Sequence, residues 1–298
     1  MKRITLLATA AALLSVAGLS GCAKETNLST VGEPSLLMLT ATELATKADT
    51  EVLPENTEVG VHVVELTTGE TAATASWANL KHVADESGQL NMTDPEASII
   101  LTTGYTYDIY SYSPYAEGVS GEAVSAIPVN HGTDILWAKA AAEKPNAKTH
   151  SASLVFEHKM AQVEFQVVAD AATEPDITGA TLKVTGFYQN GTLDLSTGKV
   201  KPGSGTTDAA AVDETVELTE FGKAVCFVPV DGDMELKVEV TVPGGANAGV
   251  YSGTITRTFA PGKSTLITIT VVDRNSELGL EAGLVPWVEE TGDVDVNN

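Results

Sequence analysis

Apolar residues in this chain recur at every second position, and no long stretch repeats them at helical spacing. The clearest run is Met234-Glu235-Leu236-Lys237-Val238-Glu239-Val240-Thr241-Val242, with Met, Leu and three Val on one side and Glu, Lys, Glu and Thr on the other. Side chains alternate across an extended strand, so this run predicts one buried and one wet face. Val163, Phe165 and Val167 alternate with Gln162, Glu164 and Gln166 in the same way, as Ile267, Ile269 and Val271 do with Thr268 and Thr270. Ala224-Val225-Cys226-Phe227-Val228-Pro229-Val230 is continuously apolar and reads as a buried strand. Between such runs lie turn signals at Asn190-Gly191, Thr197-Gly198-Lys199, Asp231-Gly232-Asp233, Pro243-Gly244-Gly245 and Pro261-Gly262-Lys263. Short strands joined by turns, without helical segments between them, predict an all-β protein of antiparallel sandwiches.

The first residues follow a different pattern. Lys2 and Arg3 precede an apolar stretch from Ile4 to Leu19, the order of a secretory signal peptide. The stretch is too short and too interrupted by Gly and Ser for a comfortable membrane span. It ends in Leu19-Ser20-Gly21-Cys22, which resembles the bacterial lipobox. Residues 1–21 are therefore expected to be removed, leaving Cys22 as the acylated first residue. An anchor of two or more acyl chains, palmitate among them, holds a protein on a membrane stably.

What remains is near the size at which one hydrophobic core stops growing, so two domains are expected. A junction is predicted in Lys139–Lys148, which collects small and charged residues and lacks a strand pattern. The looser Lys201–Ala209 stretch is flanked by strand patterns and reads as a surface loop. The net charge is −23, with 17 Lys and Arg against 40 Asp and Glu. That balance excludes a nucleic-acid partner, which needs a basic footprint.

No constellation points to chemistry. His62, His82, His131, His150 and His158 form no His-x-x-x-His pair or Cys/His cluster, and there is no Gly-x-Ser-x-Gly elbow or phosphate loop. No catalytic residue, metal ligand or cofactor site is expected, and the chain does not read as an enzyme. With Cys22 acylated, Cys226 has no partner for a disulfide and is expected as a small core residue. His158 shares a strand face with Phe156 and is expected buried, hydrogen-bonded to backbone. Trp77, Trp137 and Trp287, with Tyr105, Tyr107, Tyr110 and Tyr112, suit core packing or a sugar-stacking platform.

Several stretches, in order, resemble the fimbrillin family, whose members build type V pili. Leu36-Leu37-Met38-Leu39, Thr46-Lys47-Ala48 and Val59-Gly60-Val61 are similar to that family's leader strand, basic processing site and first retained strand. Asp108-Ile109-Tyr110-Ser111-Tyr112-Ser113-Pro114-Tyr115 resembles its aromatic strand, and Asp134-Ile135-Leu136-Trp137-Ala138 its Asp-x-Leu segment. The most specific match is Leu154-Val155-Phe156-Glu157-His158, similar to its Phe-x-His strand. Phe227-Val228-Pro229 and Phe259-Ala260-Pro261-Gly262-Lys263 resemble its late Val-Pro and Pro-Gly-Lys signatures.

The resemblance implies two transthyretin-like antiparallel β-sandwich domains, spanning residues 48–148 and 149–298, behind a signal peptide (1–21) and a removable leader (22–47). It implies export as a lipoprotein to the outer membrane, through the lipid on Cys22, and cleavage at Lys47, where the family's best-known major subunits carry Arg. Assembly into a surface fimbrium would follow by strand addition between protomers. Leu278, Leu280, Ala282, Leu284 and Val288 share one parity and are the expected donor strand. The partners implied are other fimbrial subunits, with a host surface protein or glycan as a further one. An alternative on the same fold is a monomeric surface lipoprotein that binds glycan or host protein.

Overall fold

The computed structural model describes residues 31–44, 50–66, 76–94, 97–119, 125–203, 211–217, 224–272 and 278–285. Among them there is no helix, so the all-β expectation is borne out. The first ten strands are β1 (Pro34–Leu44), β2 (Thr50–Val52), β3 (Glu58–Leu66), β4 (Trp77–Ala84), β5 (Gln89–Met92), β6 (Ile100–Thr102), β7 (Thr106–Ser113), β8 (Ser125–Asn130), β9 (Leu136–Glu143) and β10 (Thr149–His158). The other ten are β11 (Ala161–Ala169), β12 (Thr181–Tyr188), β13 (Asn190–Asp194), β14 (Lys199–Pro202), β15 (Ala211–Glu217), β16 (Ala224–Phe227), β17 (Met234–Val242), β18 (Gly249–Arg257), β19 (Ser264–Val271) and β20 (Gly279–Val285).

All of the first ten except β8 belong to one nine-stranded sheet. Its order runs β10-β9-β7-β3-β4-β5-β1-β2, with β6 also on β1. Because β1 pairs with β5 on one side and β10 on the other, the sheet closes on itself. Inside lie Leu39, Val61, Leu101, Ile109, Leu154 and Phe156, each at most 2% exposed.

In the second half two four-stranded sheets, β16-β11-β19-β20 and β15-β12-β17-β18, share a core built on Phe165, Leu182, Phe187, Leu236 and Ile267. The alternation read from β17 is observed as strict inward burial of Met234, Leu236, Val238, Val240 and Val242. Two pairs run parallel rather than antiparallel, β1 with β10 and β11 with β19. Parallel partners need a long crossover. Most of the second half separates β11 from β19, and most of the first separates β1 from β10.

The halves are joined by a fourth sheet, β14-β13-β8, in which β8 of the first half pairs with β13 of the second. Behind it Tyr112, Ile127, Met160, Leu193, Cys226 and Val228 form one buried cluster. Cys226 is 2% exposed, and the Gln162 amide donates toward its sulfur at 3.7 Å. Backbone bonds cross the joint as well, from the Gly132 N–H to the Cys226 carbonyl at 2.8 Å and from the His131 N–H to the Gln189 carbonyl at 2.9 Å.

Two local expectations are corrected. Lys139–Glu143 is part of β9, whose inward residues Ala138 and Ala140 are too small to register as an apolar row. β10 pairs with β1 and β9, and the chain changes sheet between His158 and Ala161. Asn190-Gly191 opens β13 instead of making a turn. A side chain at Gly191 would come within 2.4 Å of the Lys201 carbonyl, so this glycine serves close strand approach.

Candidate functional site

The candidate site is the slot in the first sheet that β1 fills. β1 is bound along both edges: to β10 from Leu36 to Glu43, to β6 over Pro34–Leu36, to β5 at Leu39 and Thr40, and to β2 over Thr42–Leu44. Its inward row is Ser35, Leu37, Leu39, Ala41 and Glu43, all buried. That row is apolar at its centre and ends on a carboxylate. The outward residues Leu36 and Thr40 are exposed.

Glu43 points at His158, which ends the inward row Ala152, Leu154, Phe156, His158 of β10. The imidazole Nε2 lies 3.1 Å from Glu43 Oε1, within ion-pair distance. Nδ1 lies 2.6 Å from Asp134 Oδ2, on the loop between β8 and β9. The expected backbone partner is therefore replaced by two carboxylates. Burial alone would push the imidazole down, but hydrogen bonding and attraction to Asp134 and Glu43 prevail and raise its pKa to about 9. His158 is thus a buried cation between two anions.

A second buried carboxylate lies on β7. Lys139 on β9 lies 2.8 Å from Asp108 Oδ2 on β7, the Tyr110 hydroxyl donates to the same oxygen at 2.9 Å, and the Ala142 N–H donates to Oδ1 at 2.8 Å. Burial raises the Asp108 carboxyl, yet these donors hold it net below the usual range. Both oxygens are occupied, so the cluster ties β7 to β9 and offers no proton donor or acceptor for catalysis. Among the described residues no group of three His, Cys, Asp or Glu is arranged to hold a metal ion.

Of the expected donor residues, Leu278 is buried and Leu280 packs beside it on the second half's core. Ala282 and Leu284 lie on β20, which pairs antiparallel with β19, from Ser264 opposite Val285 to Thr270 opposite Gly279. Gly253 on β18 makes room for Leu278 and Leu280, since a side chain there would meet Leu280 at 3.1 Å and Leu278 at 3.6 Å. In this single chain the segment therefore packs on its own domain. Cys22, Lys47, Val288 and Trp287 lie outside the described residues. Tyr107, Tyr110 and Tyr112 are core, Trp77 packs on Tyr107, and Trp137 lies in the joint, leaving Tyr105 exposed at 44%.

The chain matches the model of the fimbrillin-like family over residues 46–287. It belongs to that family, which is one of fimbrial and adhesion proteins and not of enzymes. No curated protein matches it. Solved structures share the fold. A Bacteroides ovatus protein described as a candidate for cell adhesion superposes with a TM-score of 0.63 at 16% identity, over 87% of this chain and 99% of its own. A Bacteroides uniformis protein of the same description gives 0.59 at 18% identity, over 86% and 99%. One from Bacteroides fragilis gives 0.50 at 13%, over 87% and 100%.

Proposed function

We propose that this chain is a structural and adhesive subunit, stalk or tip, of a type V-like fimbria on the outer membrane. It is carried there as a lipoprotein through Cys22, cut at Lys47, and assembled by donor-strand addition. The observation that carries the reading is the placement of β1. It is a complete strand of the first sheet, bonded on both edges, yet the family match begins only at residue 46, after β1 has ended. A strand that fills a slot without belonging to the shared family region suits a leader that is removed.

Removal of β1 would leave the edges of β10 and β5 unpaired and expose the apolar slot above Leu154 and Phe156. Unpaired edges beside an apolar groove are templates for another chain. The donor is the segment of Leu278, Leu280, Ala282, Leu284 and Val288 from a neighbouring subunit. It starts from β20, which among the described strands pairs with β19 alone. To donate, it must leave that cis position, so cleavage opens the acceptor while the donor is in equilibrium with its own domain. Trypsin treatment of the lipid-free chain tests this. A first cut after Lys47 followed by oligomers that resist unboiled electrophoresis is the expected result. First cuts confined to the 201–209 region, or a persistent monomer after the Lys47 cut, would refute it.

A further inference from the structure

Most of what holds β1 in place is unspecific. Leu37, Leu39 and Ala41 are apolar residues facing an apolar core, and an exchanging strand of similar pattern would satisfy the same slot. Glu43 is different. It is the one inward charge on β1, and an unpaired carboxylate buried at 8% exposure is unfavourable. Its partner His158 stands where β10 leaves the first sheet for the second half, and is anchored from behind by Asp134.

We propose that His158 is a charge latch for β1: clamped between Asp134 and Glu43, its imidazolium fastens the end of the first strand next to the segment where cleavage is expected. The latch rests on the reading above only in assuming that β1 leaves the sheet. With the imidazolium present, one cation faces two carboxylates. Without it, Glu43 and Asp134 are left as like charges at a buried site, and the cheapest relief is for Glu43, on the terminal turn of pairing with β2, to swing into water. The end of β1 would then fray first.

The other charges nearby are already engaged or exposed. Lys159, next along the chain, binds Glu157 at 2.6 Å, and Lys263 in the β18–β19 turn is exposed. On β2, Glu51 stands opposite Glu43 in register and is exposed, a further negative charge that would draw no anion back. On β9, Leu136 is the register partner of His158 and brings no charge. Titration of the latch is therefore governed by His158 itself, and its raised pKa places the release on the alkaline side.

Hydrogen exchange of the mature, uncut chain tests the latch, followed by mass spectrometry and corrected for the intrinsic pH dependence of exchange. In wild type the β1 amides from Leu36 to Glu43 should open about tenfold or more readily at pH 9.5 than at pH 6, one pKa displacement of one being a factor of ten. Glu43→Gln and His158→Gln should be as open at pH 6 as wild type at pH 9.5 and should lose the pH response, while the amides of β17 stay unchanged. Wild-type protection of β1 in both variants at pH 6, or a pH response that survives in His158→Gln, overturns the latch. If His158→Gln does not fold, Glu43→Gln decides alone, since it keeps the His158–Asp134 pair. The same proteins are then cut with trypsin and the retained β1 peptide is followed by native mass spectrometry. Faster loss from the variants completes the case. If exchange behaves as stated but no protein sheds β1, the latch stands and the strand-removal reading fails.

Discussion

The indole Nε1 of Trp137 donates a hydrogen bond to the carbonyl oxygen of Leu195 at 2.8 Å, and so joins β9 of the first half to the β13–β14 turn of the second. Gly198 lies under the ring, where any side chain would sit 2.8 Å from it at a backbone φ of +67°. Trp137→Phe leaves the Leu195 carbonyl without its donor and should cost about 1–3 kcal/mol. Trp137→Ala should cost more and separate the halves. Urea unfolding followed by circular dichroism should show one transition in wild type and two in Trp137→Ala. A single unshifted transition in both variants would show that the joint does not depend on this residue.

Gly60 on β3 is pressed against Tyr112 of β7, whose ring would meet an added side chain at 2.3 Å. Tyr112 is fully buried and its hydroxyl donates to Asn79 Oδ1 at 2.7 Å, so it has no room to retreat. Burial pushes that hydroxyl up to about 12, which keeps it a donor at any ordinary pH. Gly60→Ala should destabilise by about 1–3 kcal/mol through overpacking. A Tm equal to that of wild type would contradict the contact.

Two buried histidines oppose each other across pH 6.5. His158, raised to about 9, contributes stability that is complete below 6.5 and is lost as pH climbs from there through 9. His62, lowered to about 4 by burial, stays neutral while the unfolded chain takes up a proton, so stability is lost as pH falls from 6.5 toward 4. His82, also lowered by burial against the raising effect of the Leu80 carbonyl, adds to the acid side. Each limb amounts to roughly 3 kcal/mol at most. Unfolding free energies measured from pH 4 to 10 should show His158→Gln flattening only the alkaline limb and His62→Gln only the acid limb. The reverse assignment, or parallel curves, would contradict it.

These sites differ in how far the sequence discloses them. β17, β11 and β19 are legible because Val, Leu and Phe alternate with Glu, Lys, Gln and Thr, so period and face are both visible. β9 is not, because Ala138 and Ala140 bury little area and resemble the linker composition around them. Asn190-Gly191 misleads because the same dipeptide serves a hairpin and a close strand crossing. His158 continues the parity of Leu154 and Phe156, so its burial is legible, but its charge depends on Asp134 and Glu43, which the sequence does not place beside it. Nothing local says that they meet: closure of the ring through β1 and β10 is a contact between distant segments, set by the packing of the whole sheet.

The anchor has its own test. Among the described residues no helix is long and apolar enough to cross a membrane. If Cys22 carries the proposed lipid, Cys22→Ala should move the chain from the membrane to the soluble fraction on cell fractionation. Continued recovery with outer membranes, once unprocessed precursor is excluded, would refute lipid attachment.

The central claim is that loss of β1 opens a slot for a neighbour's C-terminal strand. Its most direct measurement is electron microscopy of the lipid-free chain after a verified cut at Lys47, beside a chain lacking residues 279–298 treated alike. Deletion removes β20 and uncovers the edge of β19, so the truncated chain is first checked for a folded core by its β17 amide protection. Filaments from the cut full-length chain and none from the uncut or the folded truncated chain is the result predicted. Filaments without the cut, or from the truncated chain as readily as from the full one, would contradict the account.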